Sequence, residues 1–241
     1  MWTESDRDTG EGKVWYGPLD GRQAIHELTS GPRIYPGAVA LSASTVYWST
    51  CSRADDCAEA GGISRWSRDD SPHGVTISTA GRPTSIAADD NGLYWIEAQR
   101  IVKSDVSGDR VAETLVDGLS RPTRLVLEGG DLLWGEDVRS GPLVRSVSTS
   151  GGAPTTIVEA DASKGLIGMR GLAADAAHVF WTDGTVVYRA PRAGGDVEVV
   201  GLPDWVAIPG DWIAVDESAL YVPVYPKDHA EPPGILRMTP K

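Results

Sequence analysis

Short apolar stretches alternate with polar turns along the whole chain, and one apolar phrase recurs: an aliphatic residue, an aromatic or aliphatic residue, then tryptophan. Successive tryptophans of the phrase are 47, 39 and 47 residues apart, and the last residue of a degenerate copy follows 41 residues after the fourth tryptophan. A period of this length is typical of a fold built from stacked copies of one unit. The copies are Val46-Tyr47-Trp48, Leu93-Tyr94-Trp95, Leu132-Leu133-Trp134, Val179-Phe180-Trp181 and Leu220-Tyr221-Val222.

Each copy predicts four strands. An apolar stretch before the phrase ends in an aspartate, at Asp89, Asp175 and Asp216. A short turn joins it to the phrase, which predicts a β-hairpin of strands that we call a and b. Downstream segments such as Val187-Tyr188-Arg189-Ala190 and Val197-Glu198-Val199-Val200 predict strands c and d. Such a meander cannot bury both of its faces alone and must stack on other copies.

Radial stacking of these meanders predicts an all-β fold, a β-propeller that occupies residues 1–241 as a single domain. The first copy begins at a strand b that contains Trp2, and the last ends at a strand c, Ile235-Leu236-Arg237-Met238. The count is five a, six b, six c and five d strands, or 22 of the 24 that six blades need. We therefore predict six blades, of which the first is incomplete. A truncated N-terminus or a misplaced start codon would explain the missing strands. Five blades or an open ring are the alternatives. The approximate blades are 1–30, 31–80, 81–119, 120–160, 161–203 and 204–241.

The phrase Val179-Phe180-Trp181-Thr182-Asp183 resembles the YWTD repeat of low-density-lipoprotein-receptor-type propellers. Leu93-Tyr94-Trp95-Ile96-Glu97 and Leu132-Leu133-Trp134-Gly135-Glu136 are more distant versions. The pattern is similar, more loosely, to the six-bladed TolB-like and NHL-like propellers. The resemblance spans nearly the whole chain and implies interaction roles. Some six-bladed relatives imply instead a lactonase-like hydrolase or a lyase with a metal at the channel mouth.

Two recurring residue types have structural interpretations. A tryptophan repeated at one position of each blade is expected to fill the gap between neighbouring sheets, with ligand stacking as the alternative. Aspartates that end strand a are expected to accept hydrogen bonds from the backbone of their own turns, with metal ligation as the alternative.

A third pattern is the strongest candidate for function. An acid recurs two residues after tryptophan, and an arginine recurs just before strand a. In a meander, the end of b and the start of a lie on one face, so these side chains are expected to approach one another. They form either structural ion pairs between blades or a polar rim that binds an anionic or polar ligand. The residues are Glu4, Glu97, Glu136 and Asp183, with Arg33, Arg82, Arg121 and Arg170.

The longest loops fall on that same face, where binding is usually found in a rigid scaffold. We therefore expect a recognition site there, and Trp205 is a further candidate ligand-binding residue. The loops are residues 4–12, 50–61, 161–169, 202–210 and 224–233.

The composition of the chain indicates which classes of partner it can bind. The chain has 34 acidic and 22 basic residues and a net charge of −12, which disfavours nucleic acid and anionic membranes. No apolar run has the length of a membrane span. We expect a monomer that binds a protein or a glycan. Cys51 and Cys57 are the two cysteines, separated by five residues in a polar loop, and we predict a disulfide between them. Such a bridge would indicate an oxidising compartment, extracellular or periplasmic. A signal peptide is absent from this chain.

Catalytic signals are weak. The histidines, His26, His73, His178 and His229, share no repeat position, and the common nucleophile, phosphate and dinucleotide motifs are absent. No cofactor is expected, although Asp55, Asp56 and Glu59 could gather calcium. We predict a non-enzymatic binding propeller, with the hydrolase or lyase as the alternative.

Overall fold

The computed structural model describes residues 2–5, 11–16, 26–32, 35–51, 61–67, 75–78, 83–108, 112–138, 141–159, 168–208, 212–227 and 232–239. The chain divides into two compact units, Met1–Gly118 and Leu119–Lys241.

The first unit contains three antiparallel sheets, and each pairs strands that follow one another along the chain. Sheet 1 has three strands in the order β1-β2-β3, and sheets 2 and 3 have four each, β4-β5-β6-β7 and β8-β9-β10-β11. The strands are β1 Trp2–Ser5, β2 Glu11–Tyr16, β3 His26–Pro32, β4 Tyr35–Leu41, β5 Thr45–Cys51, β6 Gly61–Ser67, β7 Val75–Ser78, β8 Pro83–Ala88, β9 Leu93–Glu97, β10 Arg100–Ser104 and β11 Glu113–Val116.

The second unit contains three further antiparallel sheets of four strands. Sheets 4 and 5 have the orders β12-β13-β14-β15 and β16-β17-β18-β19, and in sheet 6 β22 pairs with β20, β21 and β23. The strands are β12 Pro122–Glu128, β13 Asp131–Val138, β14 Gly141–Ser148, β15 Thr155–Glu159, β16 Gly171–Ala174, β17 His178–Thr182, β18 Val187–Pro191, β19 Glu198–Val200, β20 Val206–Ala207, β21 Ala214–Val215, β22 Leu220–Pro226 and β23 Gly234–Met238.

The predicted propeller of four-stranded antiparallel blades is confirmed. Five sheets have four strands, which is the five-blade count that the sequence left as an alternative. Sheet 1 contains strands of types b, c and d within the described ranges. Its register pairs Trp2 with Trp15, so Trp2 belongs to strand b as predicted.

The innermost strand of sheet 6 differs from the prediction of one continuous segment at 212–216. It consists of two pieces, β20 and β21, which pair with opposite ends of β22. Between the pairs Ala207↔Tyr225 and Ala214↔Tyr221, the segment that contains β20 and β21 advances seven residues, whereas β22 advances four. Three extra residues therefore separate β20 from β21. Ile208 is followed in sequence by Pro209, and proline cannot donate a ladder hydrogen bond.

The repeated tryptophans are buried, and the expected packing against a neighbouring sheet is present for Trp48, Trp95 and Trp181. Trp48, Trp95, Trp134 and Trp181 are all at most 2% exposed. Trp95 of sheet 3 packs in one cluster with Tyr47 and Ile63 of sheet 2. Trp181 of sheet 5 packs with residues of sheet 4, namely Leu133, Val144 and Val158. Burial of an indole ring contributes on the order of 4 to 6 kcal/mol by area.

The aspartates that end strand a are turn residues, which confirms the second structural interpretation. Asp89 Oδ1 accepts from the backbone N–H of Asn91 and of Gly92, both at 2.8 Å. Asp175 and Asp216 do the same in sheets 5 and 6, each with two N–H groups at 2.7 or 2.8 Å. In each of these three a–b hairpins, one aspartate side chain thus fixes the turn, and with it the register of the strands that follow.

The turn between β9 and β10 contains a residue with a strained backbone conformation. Ala98 lies in this two-residue connection with a φ of 53°, a conformation that glycine adopts without a Cβ penalty. We predict that Ala98→Gly raises the free energy of unfolding by about 0.5–1 kcal/mol, measured by urea denaturation. The matched control is Ala177→Gly, in the exposed three-residue connection between β16 and β17, where Ala177 does not have a positive φ. That change should lower the unfolding free energy, and stabilisation by both changes would contradict the assignment of strain to Ala98.

Candidate recognition surface

In all three sheets of the second unit, a backbone hydrogen bond joins the end of strand b to the residue just before strand a. In each sheet a backbone N–H on one side of this junction donates to a carbonyl on the other, at 2.8–3.2 Å. The residue just before strand a is Arg121 in sheet 4, Arg170 in sheet 5 and Trp205 in sheet 6. The bonds are Asp137 N to Arg121 O, Arg170 N to Thr182 O and Lys227 N to Trp205 O.

Trp205 therefore lies directly before β20, as Arg121 and Arg170 lie directly before β12 and β16. The sequence identified the arginine series and Trp205 separately, and the two-residue strand β20 gave no pattern that would have related them. We call Arg121, Arg170 and Trp205, together with Arg124 and Trp212 described below, the junction surface.

Arg121 combines an unusual backbone conformation with an exposed side chain. Its φ is 50°, in the left-handed region that residues other than glycine rarely adopt. The side chain is 77% exposed, and its Nη2 lies 3.2 Å from Asp137 Oδ2. Strained residues of this kind are often found at functional sites. The arginine and an acid do approach one another, but the acid is Asp137, one residue later than the sequence pattern indicated.

Glu136 faces the interior. Its residue is 2% exposed, and its Oε1 accepts from the indole Nε1–H of Trp134 at 2.8 Å. Its Oε2 accepts from the backbone N–H of Ser120 at 2.6 Å, and Arg145 Nη1 lies 3.5 Å from Oε1. A buried carboxylate needs such partners to offset its desolvation. Glu136, the acid two residues after Trp134, thus accepts hydrogen bonds from the indole ring and from the backbone just before β12.

Glu97 makes the same bond one sheet earlier. Trp95 Nε1 donates to Glu97 Oε2 at 3.1 Å, and Arg100 Nη2 donates to Glu97 Oε1 at 2.7 Å. Residues i and i+2 of a strand point to the same face, which brings the indole N–H and the carboxylate together. Glu97 is also buried.

Asp183 occupies the same repeat position but has a shorter side chain and different partners. Its Oδ1 accepts from the N–H groups of Thr185 and Val186, at 2.7 and 2.9 Å, and its Oδ2 accepts from the Tyr188 hydroxyl at 3.0 Å. Trp181 Nε1 is buried without a hydrogen-bond partner among the described residues. The indole bond therefore accompanies glutamate at this position and is missing from the copy that keeps aspartate.

Tyr188 and Asp183 shift each other's ionisation. Burial, and then the hydrogen bond from Tyr188 to Asp183 and the negative charge of Asp183, raise the pKa of Tyr188 to about 12. Burial raises the pKa of Asp183, but hydrogen bonds from Thr185, Val186 and Tyr188 outweigh it and hold this pKa below its usual value. Sheet 6 repeats the arrangement with Asp216, Ser218 and Tyr221, where the hydrogen bonds of Ser218 lead in lowering the pKa of Asp216 to about 2.

Two exposed tryptophans contrast with the buried series. Trp205 is 58% and Trp212 is 59% exposed. The guanidinium carbon of Arg124 lies 4.4 Å from the centroid of the Trp212 ring, a cation–π contact. Arg124 belongs to β12, the innermost strand of sheet 4, and Trp212 directly precedes Ile213 and β21 of sheet 6. Strand β16, with its three small residues, neighbours both β12 and β21. An aromatic face and a cation thus lie on the inner strands of this unit.

Several candidates from the sequence lie outside the described residues and stay predictions. Arg33 and Arg82 are among them, and the side chain of Glu4 on β1 is also outside. The Cys51–Cys57 disulfide cannot be placed, since Cys57 and the Cys51 side chain are outside too. The same holds for Asp55, Asp56 and Glu59 as calcium ligands, and for His73 and His229.

In the described ranges, no group of three or more His, Cys, Asp or Glu side chains could hold a metal ion. Across those same ranges, no helix is long and apolar enough to cross a membrane.

The sheets and the inward tryptophans define the class of protein, a β-propeller. Solved structures with this fold include a nidogen–laminin complex, at 20% identity and TM-score 0.67 over 96% of this chain and 91% of that chain. TolB from Acinetobacter baumannii follows at 14% identity and TM-score 0.62 over 99% of this chain, which spans 63% of that chain. An oligogalacturonate lyase in complex with manganese is 10% identical, with TM-score 0.64 over 99% of this chain and 76% of that chain.

No family model matches the chain, and no curated protein matches it. At these identities the likeness shows the fold alone. The structural neighbours are YWTD-type and TolB propellers, in agreement with the resemblance found in the sequence. They include proteins solved with a protein partner and enzymes, so the fold is compatible with both classes of function.

The Asp183–Tyr188 pair predicts a specific alkaline titration. Because the folded pKa of Tyr188 is raised to about 12, its contribution to stability is present below pH 10 and is lost as the pH rises through about 12. Asp183→Asn removes the charge and should lower the Tyr188 pKa. Phenolate absorbance during a pH titration measures this, with Tyr188→Phe to assign the signal. The control is Asp216→Asn, the same change in the equivalent motif, which should leave the Tyr188 pKa in place. An unchanged Tyr188 pKa in Asp183→Asn would contradict the assignment.

Proposed function

We propose that this chain is a non-enzymatic recognition propeller that binds a protein or a surface glycan through the junction surface of its second unit. The observation that carries the proposal is the pair of exposed tryptophans, Trp205 and Trp212, with the guanidinium of Arg124 against the Trp212 ring.

The chemistry of the junction surface suits recognition. Exposed indole rings supply large, rigid contact areas, and tryptophan and arginine are the residues most enriched at binding hot spots. Arg121 offers a planar guanidinium to carboxylate, sulfate or phosphate groups, at present shared with Asp137. The preferred partner therefore combines an apolar plane, such as an aromatic side chain or the flat face of a sugar ring, with acidic groups.

The buried acids support this division of roles. Glu97 and Glu136 are engaged with indole N–H groups and are buried, whereas Arg121 at the same end of a strand is exposed beside Asp137. An exposed guanidinium on a chain of net charge −12 offers acidic partners a local point of attraction.

The structural neighbours support the binding class by analogy. Nidogen was solved in complex with laminin, a protein partner. An exported location and a monomeric state accord with this role, and both are part of the proposal.

The alternative is a hydrolase or lyase with a metal at the channel mouth. The neighbour that favours it is the oligogalacturonate lyase, whose structure contains manganese. This chemistry requires carboxylates or amides that converge before the inner strands, where the second unit has Arg121, Arg170 and Trp205.

Binding to arrays tests the proposal. The chain, labelled with a fluorophore, is applied to an array of neutral and uronate-containing glycans and to an array of secreted proteins. We expect saturable binding to a defined set of ligands, weakened at least about tenfold by Trp205→Ala and by Arg121→Ala, since hot-spot truncations cost about 2 kcal/mol or more. The control is Leu41→Ala, an exposed apolar residue at the opposite strand end in the first unit, which should leave binding unchanged.

Two outcomes would contradict the proposal. One is binding that is insensitive to Trp205→Ala and Arg121→Ala. The other is turnover of oligogalacturonate or a lactone in the presence of Mn²⁺ or Ca²⁺, which would favour the enzyme.

A further inference from the structure

The turn that joins β8 to β9 in sheet 3 contains the only asparagine of the chain, Asn91, which is followed by a glycine. The Asn91 side chain is exposed. In the equivalent turns of sheets 5 and 6 this position is occupied by Ala177 and Ser218, whose N–H groups also donate to the turn aspartate. The turn therefore forms without an amide side chain at this position.

The backbone conformation does not account for the Asn-Gly pair either. This pair is favoured in hairpin turns where both residues have a positive φ, but neither Asn91 nor Gly92 has one. Gly92 has a packing role instead. A Cβ at this position would lie 2.6 Å from the hydroxyl oxygen of Tyr94 and 2.8 Å from Cζ of its buried ring. Tyr94 thus requires the glycine that follows Asn91.

An asparagine before glycine can lose its amide group in an intramolecular reaction, because glycine has no Cβ to hinder the attack. The Gly92 nitrogen gives its proton to a base from the solvent and bonds to Asn91 Cγ, which closes a succinimide ring. The Cγ–Nδ2 bond breaks, and the amide nitrogen takes up a proton and leaves as ammonia. Water then opens the ring at either carbonyl, which gives aspartate or isoaspartate.

Asp89 binds the N–H group that must react. Its Oδ1 accepts from the N–H groups of Asn91 and Gly92, both at 2.8 Å, and its own N–H donates to the carbonyl of Gly92 at 3.1 Å. The carboxylate stabilises the protonated nitrogen of Gly92 and disfavours a second negative charge beside it. Asp89 therefore opposes the first step of the reaction in the folded chain.

The same turn contacts the neighbouring sheet 2. Asp90 Oδ1 accepts from the N–H of Ala43 at 3.1 Å. Isoaspartate would add a methylene group to the main chain between β8 and β9, next to the pair Ala88↔Leu93. The longer connection would displace Asp89 and Asp90 from the positions in which they make these hydrogen bonds.

We propose that Asn91 is a site of spontaneous deamidation that Asp89 restrains in the folded chain, and that isoaspartate formed there weakens the contact between sheets 2 and 3. The modification needs water alone as a co-reactant. The site belongs to the first unit, is separate from the junction surface and does not rest on the proposed function.

Mass spectrometry of the full chain during incubation in mildly alkaline buffer tests the proposal. Electron-transfer fragmentation locates the conversion at Asn91 and separates isoaspartate from aspartate. We expect slower conversion in the folded chain than in the chain denatured with guanidinium. Folded Asp89→Ala should convert about tenfold faster than the folded wild type, because a hydrogen bond to a charged group is lost. Asn91→Ala should show no conversion at this position.

Asp175→Ala is the matched control, because it separates the local effect of Asp89 from a general loss of stability. Asp175 Oδ1 accepts from the N–H groups of Ala177 and His178 in sheet 5, as Asp89 does in sheet 3. Both changes remove one turn aspartate. The control should leave the rate at Asn91 within about twofold of the wild type, since the two turns share no partners.

Thermal unfolding of the purified isoaspartate form tests the structural consequence. This form should melt several degrees below the unmodified chain, and Asn91→Asp, which adds the charge without lengthening the main chain, should melt close to it. The proposal is overturned if Asn91 does not convert in the denatured chain or if Asp89→Ala does not accelerate conversion. Equal acceleration by Asp175→Ala, or an isoaspartate form that melts with the unmodified chain, would overturn it too.

Discussion

The burial of a tryptophan from strand b in sheets 2 to 5 is the interaction on which this structure depends. An antiparallel sheet of four short strands cannot bury both faces, and a large flat ring at its centre supplies apolar area to the neighbouring sheet. Indole also carries an N–H that needs a partner once it is buried. In sheets 3 and 4 a glutamate two residues later supplies it, at 3.1 and 2.8 Å. The core requirement of the repeat therefore determines the use of its most prominent acids.

This constraint separates structural from exposed chemistry at the ends of the strands. Glu97 and Glu136 are buried, and the arginine before strand a in sheet 4 is exposed and has a left-handed backbone conformation. Sheet 6 has Trp205 directly before β20 and Trp212 against Arg124 of sheet 4. The second unit thus combines a buried interior with exposed aromatic rings and cations, which is the basis for the proposed recognition role.

Much of the fold is predictable from the sequence, since the tryptophan period, the turn aspartates and the strand pattern depend on local chemistry. Trp2 on strand b and the turn role of Asp175 follow from that pattern alone. The site is less predictable. A carboxylate in a rim and one that binds an indole have the same spacing, and only the direction of the side chain distinguishes them. The interrupted strand before Trp212 depends on pairing between segments of sheet 6, which a repeat pattern does not report.

A double-mutant cycle on the indole bond tests the central claim most directly. The free energy of unfolding is measured for Trp134→Phe, Glu136→Ala and the double variant, and in parallel for Trp181→Phe, Asp183→Ala and their double variant. A hydrogen bond to a charged group predicts a coupling of about 1.5–3 kcal/mol for the first pair and a coupling near zero for the second. Equal couplings, or none between Trp134 and Glu136, would contradict the account and return the acids to the exposed rim.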